Sequence, residues 1–156
     1  MVTLDPMSRE AWNGWRDNAI REYGMDKVRA GTWTADEAQA RSAAEFARLL
    51  PDGLATPGHE LRSIVTESGE VVGTLWFAPL HEIGRGECFI YDIVVHESAR
   101  GRGYGRAAMM ALEPLARSLG YDRIGLHVFG DNHIARELYR TSGYVETDVT
   151  MRKTLE

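Results

Sequence analysis

Cysteine is almost missing from this 156-residue chain: Cys88 stands alone. No internal disulfide can form, so the fold must stand without one. Long apolar runs are missing too, and none approaches the length of a membrane span. Met1 to Pro6 lacks a basic segment followed by an apolar run, so no signal peptide is expected. With a free thiol, these absences read as a soluble, cytoplasmic protein. A basic excess is also lacking: 18 Lys and Arg face 23 Asp and Glu, a net charge of −5. That argues against a nucleic-acid partner and suits a basic substrate such as an amine. His59, His81, His96, His127 and His133 show no metal-ligand spacing, so no metal is expected. There are no repeats and no interdomain linker. The length then predicts one domain over residues 1–156.

What is present is a change of period along the chain. Val2 to Leu4 reads as a short strand. Asp5-Pro6 or Ser8 can start a helix, with Trp12, Trp15, Ala19 and Tyr23 on one face and Gly31 as its stop. Thr34 to Glu37 fits a capping box opening a second helix, whose apolar side would be Ala38, Ala43, Ala44, Ala47 and Leu50. Leu61–Thr66 and Val71–Ala78 read as strands joined by a turn, and Cys88–Val95 as a central strand. Tyr104–Leu119 reads as a helix that Pro114 should bend. Arg123–Phe129 is a further strand, Asn132–Ser142 a short helix and Tyr144–Lys153 a last strand. The pattern is mixed α/β with about four helices.

The segment after the central strand carries the most chemistry. It runs from Val94 to Arg106 and contains Arg100-Gly101-Arg102-Gly103-Tyr104-Gly105-Arg106. A strand enters a glycine-rich turn and a helix leaves it. That arrangement aims backbone N–H groups and a helix dipole at one point, a nest for a phosphate or pyrophosphate. Gly101, Gly103 and Gly105 allow close backbone approach, and three arginines add positive charge. The plain alternative is a tight connection with solvated arginines. A dinucleotide turn is disfavoured because its glycine spacing differs and the strand before it is not the first.

Arg100-x-x-Gly103-x-Gly105 resembles the signature of the GNAT superfamily of acyl-CoA N-acyltransferases. A second segment, Asn132-x-x-Ala135-x-x-Leu138-Tyr139 followed by Gly143-Tyr144, is similar to that family's downstream pattern. The resemblance implies a GNAT fold with a splayed central sheet, acetyl-CoA as co-substrate and an amine acceptor. It implies that the turn from Arg100 to Arg106 holds the pyrophosphate. Asn132 and Ala135 would meet pantetheine, and Tyr139 would act as general acid. The strand residues Ile93, Val94 and Val95 would pair with pantetheine. On their own, Asn132 could equally cap its helix, and Tyr139 could be a half-buried aromatic.

The family's amine attacks the thioester directly, so a base is required. Asp92 sits where the polyamine-type members carry an acidic residue, but Tyr91 replaces the Glu that precedes it there. Asp92, Glu87 and His127 are the candidates. Asp92 could instead be structural, His127 a core histidine and Cys88 core packing. Trp12, Trp15, Tyr23, Trp33 and Trp76 could line a cation pocket or form core. Asp26, Glu37 and Glu82 could attract an amine or be solvated. A small amine or amino acid is the favoured acceptor. A protein or peptide N-acetyltransferase and a non-catalytic acyl-CoA sensor are the alternatives. The family often dimerises, which leaves a homodimer open.

Overall fold

The computed structural model describes residues 1–80 and 86–156. Five strands form one sheet: β1 (Val2–Pro6), β2 (Glu60–Thr66), β3 (Val71–Pro79), β4 (Glu87–Val95) and β5 (Arg123–Leu126). Their order in space is their order in sequence. The first four are antiparallel, and β5 joins β4 in parallel. The helices are α1 (Arg9–Arg29), α2 (Ala35–Leu49), α3 (Tyr104–Ser118) and α4 (His133–Thr141).

The helix starts follow their sequence signals. The Ser8 hydroxyl accepts from the Ala11 N–H and caps α1. The Thr34 capping box opens α2, with the Thr34 N–H donating to Glu37 Oε1. Trp12, Trp15 and Ala19 are buried as their spacing predicts. The buried line of α2 differs in part from the predicted one: Ala38 and Leu50 are buried and Ala43 half-buried as expected. It runs through Ala38, Ser42 and Phe46, while Ala44 and Ala47 are exposed. Ser42 fits because its hydroxyl donates to the Ile20 carbonyl at 2.6 Å, which satisfies it inside the α1–α2 contact.

One face of the sheet packs on α1 and α2 through an aromatic core of Trp12, Trp15, Phe46 and Trp76. The other face packs Leu75, Phe77, Cys88 and Ile90 against Met109 and Leu112 of α3. Cys88 is fully buried, and burial pushes its thiol up to about 11, so it is packing. α3 passes through Pro114 without ending.

The predicted last strand, Tyr144–Lys153, is not a strand. Among the described residues, 144–156 pair with no strand, and 145–156 are exposed. The alternation that suggested a strand is real, but a pattern specifies only which face needs cover, and the cover must come from elsewhere. β5 likewise ends at Leu126 and not at Phe129.

Gly73 on β3 is fixed by close approach: a Cβ there would lie 2.2 Å from the Val94 carbonyl oxygen. Gly73→Ala is expected to cost about 3 kcal/mol in urea unfolding, because backbone and not a flexible side chain must move.

Candidate active site

The site begins where the sheet opens. β4 and β5 pair only from Glu87↔Arg123 to Ile90↔Leu126. Beyond Ile90, no strand among the described residues lies on the β5 side of β4. The His96 N–H donates to the Val72 carbonyl, in phase with Val94↔Thr74 and Asp92↔Trp76. In an antiparallel ladder, alternate residues spend their backbone groups on the same neighbour. Asp92 and Val94 therefore bond to β3, and Ile93 and Val95 turn theirs toward the opening. Of the three residues expected to offer backbone groups, the register leaves Ile93 and Val95 to do so. The Val95 carbonyl accepts from Arg100 Nε at 3.1 Å, so its N–H is the group left over.

A bulge aims Asp92. Trp76 pairs with Asp92 and Phe77 with Ile90, which leaves Tyr91 as an extra residue. Side chains alternate along a strand, so without the bulge Asp92 would follow Ile90 into the α3 core. With it, Tyr91 and Asp92 both face α1. Tyr91 stacks on Trp76 at 4.7 Å between ring centroids. Asp92 Oδ2 accepts from Trp15 Nε1 at 3.0 Å. Burial pushes the Asp92 carboxyl up to about 6; the Trp15 bond opposes this, and the charge of Asp26 adds to it. A carboxylate poised there can accept a proton near neutral pH.

The turn after β4 has the expected shape. Gly101 and Gly103 adopt φ of +76° and +82°, and a Cβ at either would meet no atom within 4 Å. Their surroundings are open to a ligand. Gly103 precedes the first turn of α3, whose N–H groups have no partner in the helix. Gly105 serves another purpose: a Cβ there would come 3.3 Å from Leu138, so its smallness lets α4 approach α3. Arg106 Nη2 donates to Thr141 Oγ1 at 2.7 Å, also joining these helices. Arg102 is exposed and makes no hydrogen bond or ion pair among the described residues. The open glycines, free N–H groups and Arg102 fit an anionic pyrophosphate.

Asn132 caps α4, its side-chain oxygen accepting from the Ala135 N–H at 3.2 Å. Its amide N–H groups stay free to donate. Two turns on, Tyr139 is half-buried against the α3-side core and near Tyr144. Burial raises its phenol, and the charge of Asp92 raises it further.

The other candidates sit elsewhere. Glu87 is five residues before Asp92, at the closed end of the β4–β5 ladder, roughly 16 Å along the strand. His127 is exposed just past β5, edge-on to Phe129 at 5.2 Å, so it is no core histidine. Trp12, Trp15 and Trp76 are core, and Trp15 and Trp76 also wall the site. Tyr23 and Trp33 pack on each other under Lys27. Asp26 pairs with Arg29, which also binds Asp131. Glu37 is engaged by its cap and Arg41. His81 and Glu82 lie outside the described residues. A groove of about 450 Å³ between α1 and α2, lined by Arg21, Met25, Val28 and Gln39, contains neither Asp92 nor Tyr139. Among the described residues, no cluster of three His, Cys, Asp or Glu could hold a metal, and no helix is long and apolar enough to cross a membrane. Nothing local marks the Trp15–Asp92 bond in advance, since only the fold brings these positions together.

A splayed mixed sheet, with a glycine turn and helix start at the end of its fourth strand, is the architecture of an acyl-CoA transferase. The model of the acetyltransferase (GNAT) family matches residues 18–144, so the chain belongs to that family and is an N-acetyltransferase. It is 42% identical to the uncharacterized N-acetyltransferase YycN of Bacillus subtilis, over 99% of each chain. It is 35% identical to the uncharacterized N-acetyltransferase YdgE of the same organism, over 98% of each. The crystal structure of YycN superposes with a TM-score of 0.94, at 41% identity, over 100% of this chain and 99% of that one. The fold is shared, at 16% identity and a TM-score of 0.62, with AAC(6')-Iy in complex with a CoA-linked bisubstrate analog, over 100% of this chain and 99% of that one. Members of the family use acetyl-CoA.

Proposed function

We propose that this chain transfers the acetyl group of acetyl-CoA to a primary amine by direct attack, with no covalent acyl-enzyme. The observation that carries this reading is geometric: the β4 bulge turns Asp92 to the Trp15 indole N–H, on the strand that parts from β5 and runs into an open glycine turn. Bound acetyl-CoA supplies the activated acyl group. The free N–H groups of the turn from Gly101 to Arg106 bind its pyrophosphate, with Arg100, Arg102 and Arg106 adding positive charge. Ile93 and Val95 bind pantetheine by their backbone, and Asn132 donates from its amide beside Ala135. Val94 contributes through its place in the strand, its own backbone groups being used by β3.

Asp92 accepts the proton of the acceptor's ammonium and leaves a neutral amine. Trp15 holds the carboxylate in place through its indole N–H. The new C–N bond forms as the C–S bond breaks; Tyr139 donates its phenolic proton to the departing sulfur and is restored by the proton that the acylated nitrogen loses. Trp76 and Tyr91 form a flat apolar wall beside Asp92, which favours a small amine or an amino-acid-like acceptor.

The experiment is thiol release from acetyl-CoA against amines, amino acids, aminoglycosides and peptides. Release with one small-amine class supports the reading. Release only with peptides would move it to a protein N-acetyltransferase. Tight acetyl-CoA binding without release from any class would favour an acyl-CoA sensor. Gly103→Val is expected to weaken acetyl-CoA binding at least 100-fold in calorimetry, because a side chain enters the space in front of the turn. The variant should still melt cooperatively, at a cost of about 1–2 kcal/mol for its left-handed backbone. Unchanged affinity would remove the turn as the pyrophosphate site.

A further inference from the structure

Glu87 carries a carboxylate that acetyl transfer does not use. Cys88 and Ile90 point into the α3-side core. Glu87 and Phe89, which alternate with them, point to the other face of the sheet. The bulge puts Tyr91 and Asp92 on that face as well. One side of β4 therefore reads, in order, carboxylate, ring, ring, carboxylate. Phe89 lies edge-on to Tyr91 at 5.2 Å between ring centroids. The core that α1 and α2 build on this face takes in Tyr91 but not Phe89. Glu87, Phe89 and the neighbouring Gly125 are each part-exposed. The face thus continues past Asp92 and Tyr91 as an apolar shelf on β4 and β5, with an acid at its far end.

Gly125 gives that acid its place. It pairs with Phe89 across the β4–β5 ladder. A Cβ on Gly125 would come 2.7 Å from Glu87 Oε1 and 3.7 Å from Phe89 Cδ2. The Glu87 carboxylate therefore reaches over β5 into space that a side chain there would take. It makes no hydrogen bond or ion pair among the described residues, and Arg123, its partner in the register, pairs with Asp122 at 3.5 Å. A part-buried carboxylate without a partner favours a cation. Five residues at about 3.3 Å each put Glu87 roughly 16 Å from Asp92 along the strand, a span that an extended diamine of about ten carbons bridges. The methylenes of such a chain suit the Phe89 and Tyr91 rings, whose faces also attract an ammonium group.

We propose that Glu87 binds a second cationic group of the acceptor, so that the preferred acceptors are extended dications whose other amine reacts at Asp92. The identity of the reacting end rests on the acetyl-transfer reading; the grip of Glu87 on the far end does not.

The test compares an α,ω-diamine of about ten carbons with the amino alcohol of the same length, which differs only at its distal group. With wild type, kcat/KM for the diamine should exceed that for the amino alcohol by about tenfold or more, through KM. A diamine of about three carbons is too short to reach Glu87 and should lose the advantage. Glu87→Gln should bring the long pair within about threefold of each other. Gly125→Ala should act in the same direction from the other strand, because its Cβ displaces the Glu87 carboxylate and only a flexible side chain must give way. Calorimetry of both compounds on the CoA-loaded protein reads the same preference without turnover. A binding preference that Glu87→Gln removes supports the proposal even where no acetyl group is transferred, and in that case the transfer reading alone fails. A wild type that binds the two compounds alike, or binds neither, overturns the proposal. So does a preference that survives Glu87→Gln, and acetyl transfer then stands without it.

Discussion

Asp92→Asn is expected to lower kcat/KM by roughly 10²–10⁴-fold, the usual worth of a general base, and to make the protein more stable at neutral pH. Both effects have one cause. The folded carboxyl titrates at about 6, above its ordinary value of 3.8, because burial penalises its charge. The folded state holds this proton more tightly than the unfolded chain does. Wild-type stability is therefore favoured below pH 4, declines as pH rises from about 4 to 6 and bears the full cost above 6. That cost is on the order of 2–4 kcal/mol. Asparagine keeps an oxygen for the Trp15 N–H and carries no charge. The variant should melt level with wild type near pH 4 and roughly 5–10 °C higher at pH 8. In wild type kcat/KM should rise with pH through about 6, and in the variant this limb should be missing. A variant with an unaltered pH profile would transfer the base to another group. A variant with no gain at pH 8 would mean that Asp92 is stabilised in its charged form.

Tyr139→Phe is expected to reduce kcat about 100-fold while changing acetyl-CoA affinity less than about threefold. Burial and the charge of Asp92 hold the phenol protonated well into the alkaline range, so an acid is present whenever Asp92 is ready as a base. The phenylalanine ring fills the same space against the α3-side core, so folding should not change. The loss should fall on kcat because the proton is needed when sulfur departs and not when the substrate binds. Pre-steady-state thiol release, combined with acetyl-CoA titration, separates the two. Wild-type turnover in the variant would leave Tyr139 a packing residue.

Elements whose signals are local were legible. The Ser8 and Thr34 caps, the glycine turn and the Asn132 helix start each depend on a few neighbouring residues, and each stands where the sequence puts it. The α2 face was misplaced because apolar counting favours alanines, whereas Ser42 could be buried only through a bond to Ile20, far away in sequence. The Tyr91 bulge has no local signature, since a nearly continuous apolar strand gives no sign of which residue is extra. The last strand was misread for the opposite reason. Its alternation is strong, but pairing is decided by what lies alongside it.

The Trp15–Asp92 bond joins positions 77 residues apart, in a sheet whose strands otherwise add in the order of synthesis. Loop closure over that length is slow compared with hairpin formation. During translation, α1 is finished long before β4 leaves the ribosome, and its indole must wait for its carboxylate. The meander β2–β3–β4 can assemble first, and catalytic competence then arrives as a late event in folding, when the amino-terminal helix closes over a sheet already built.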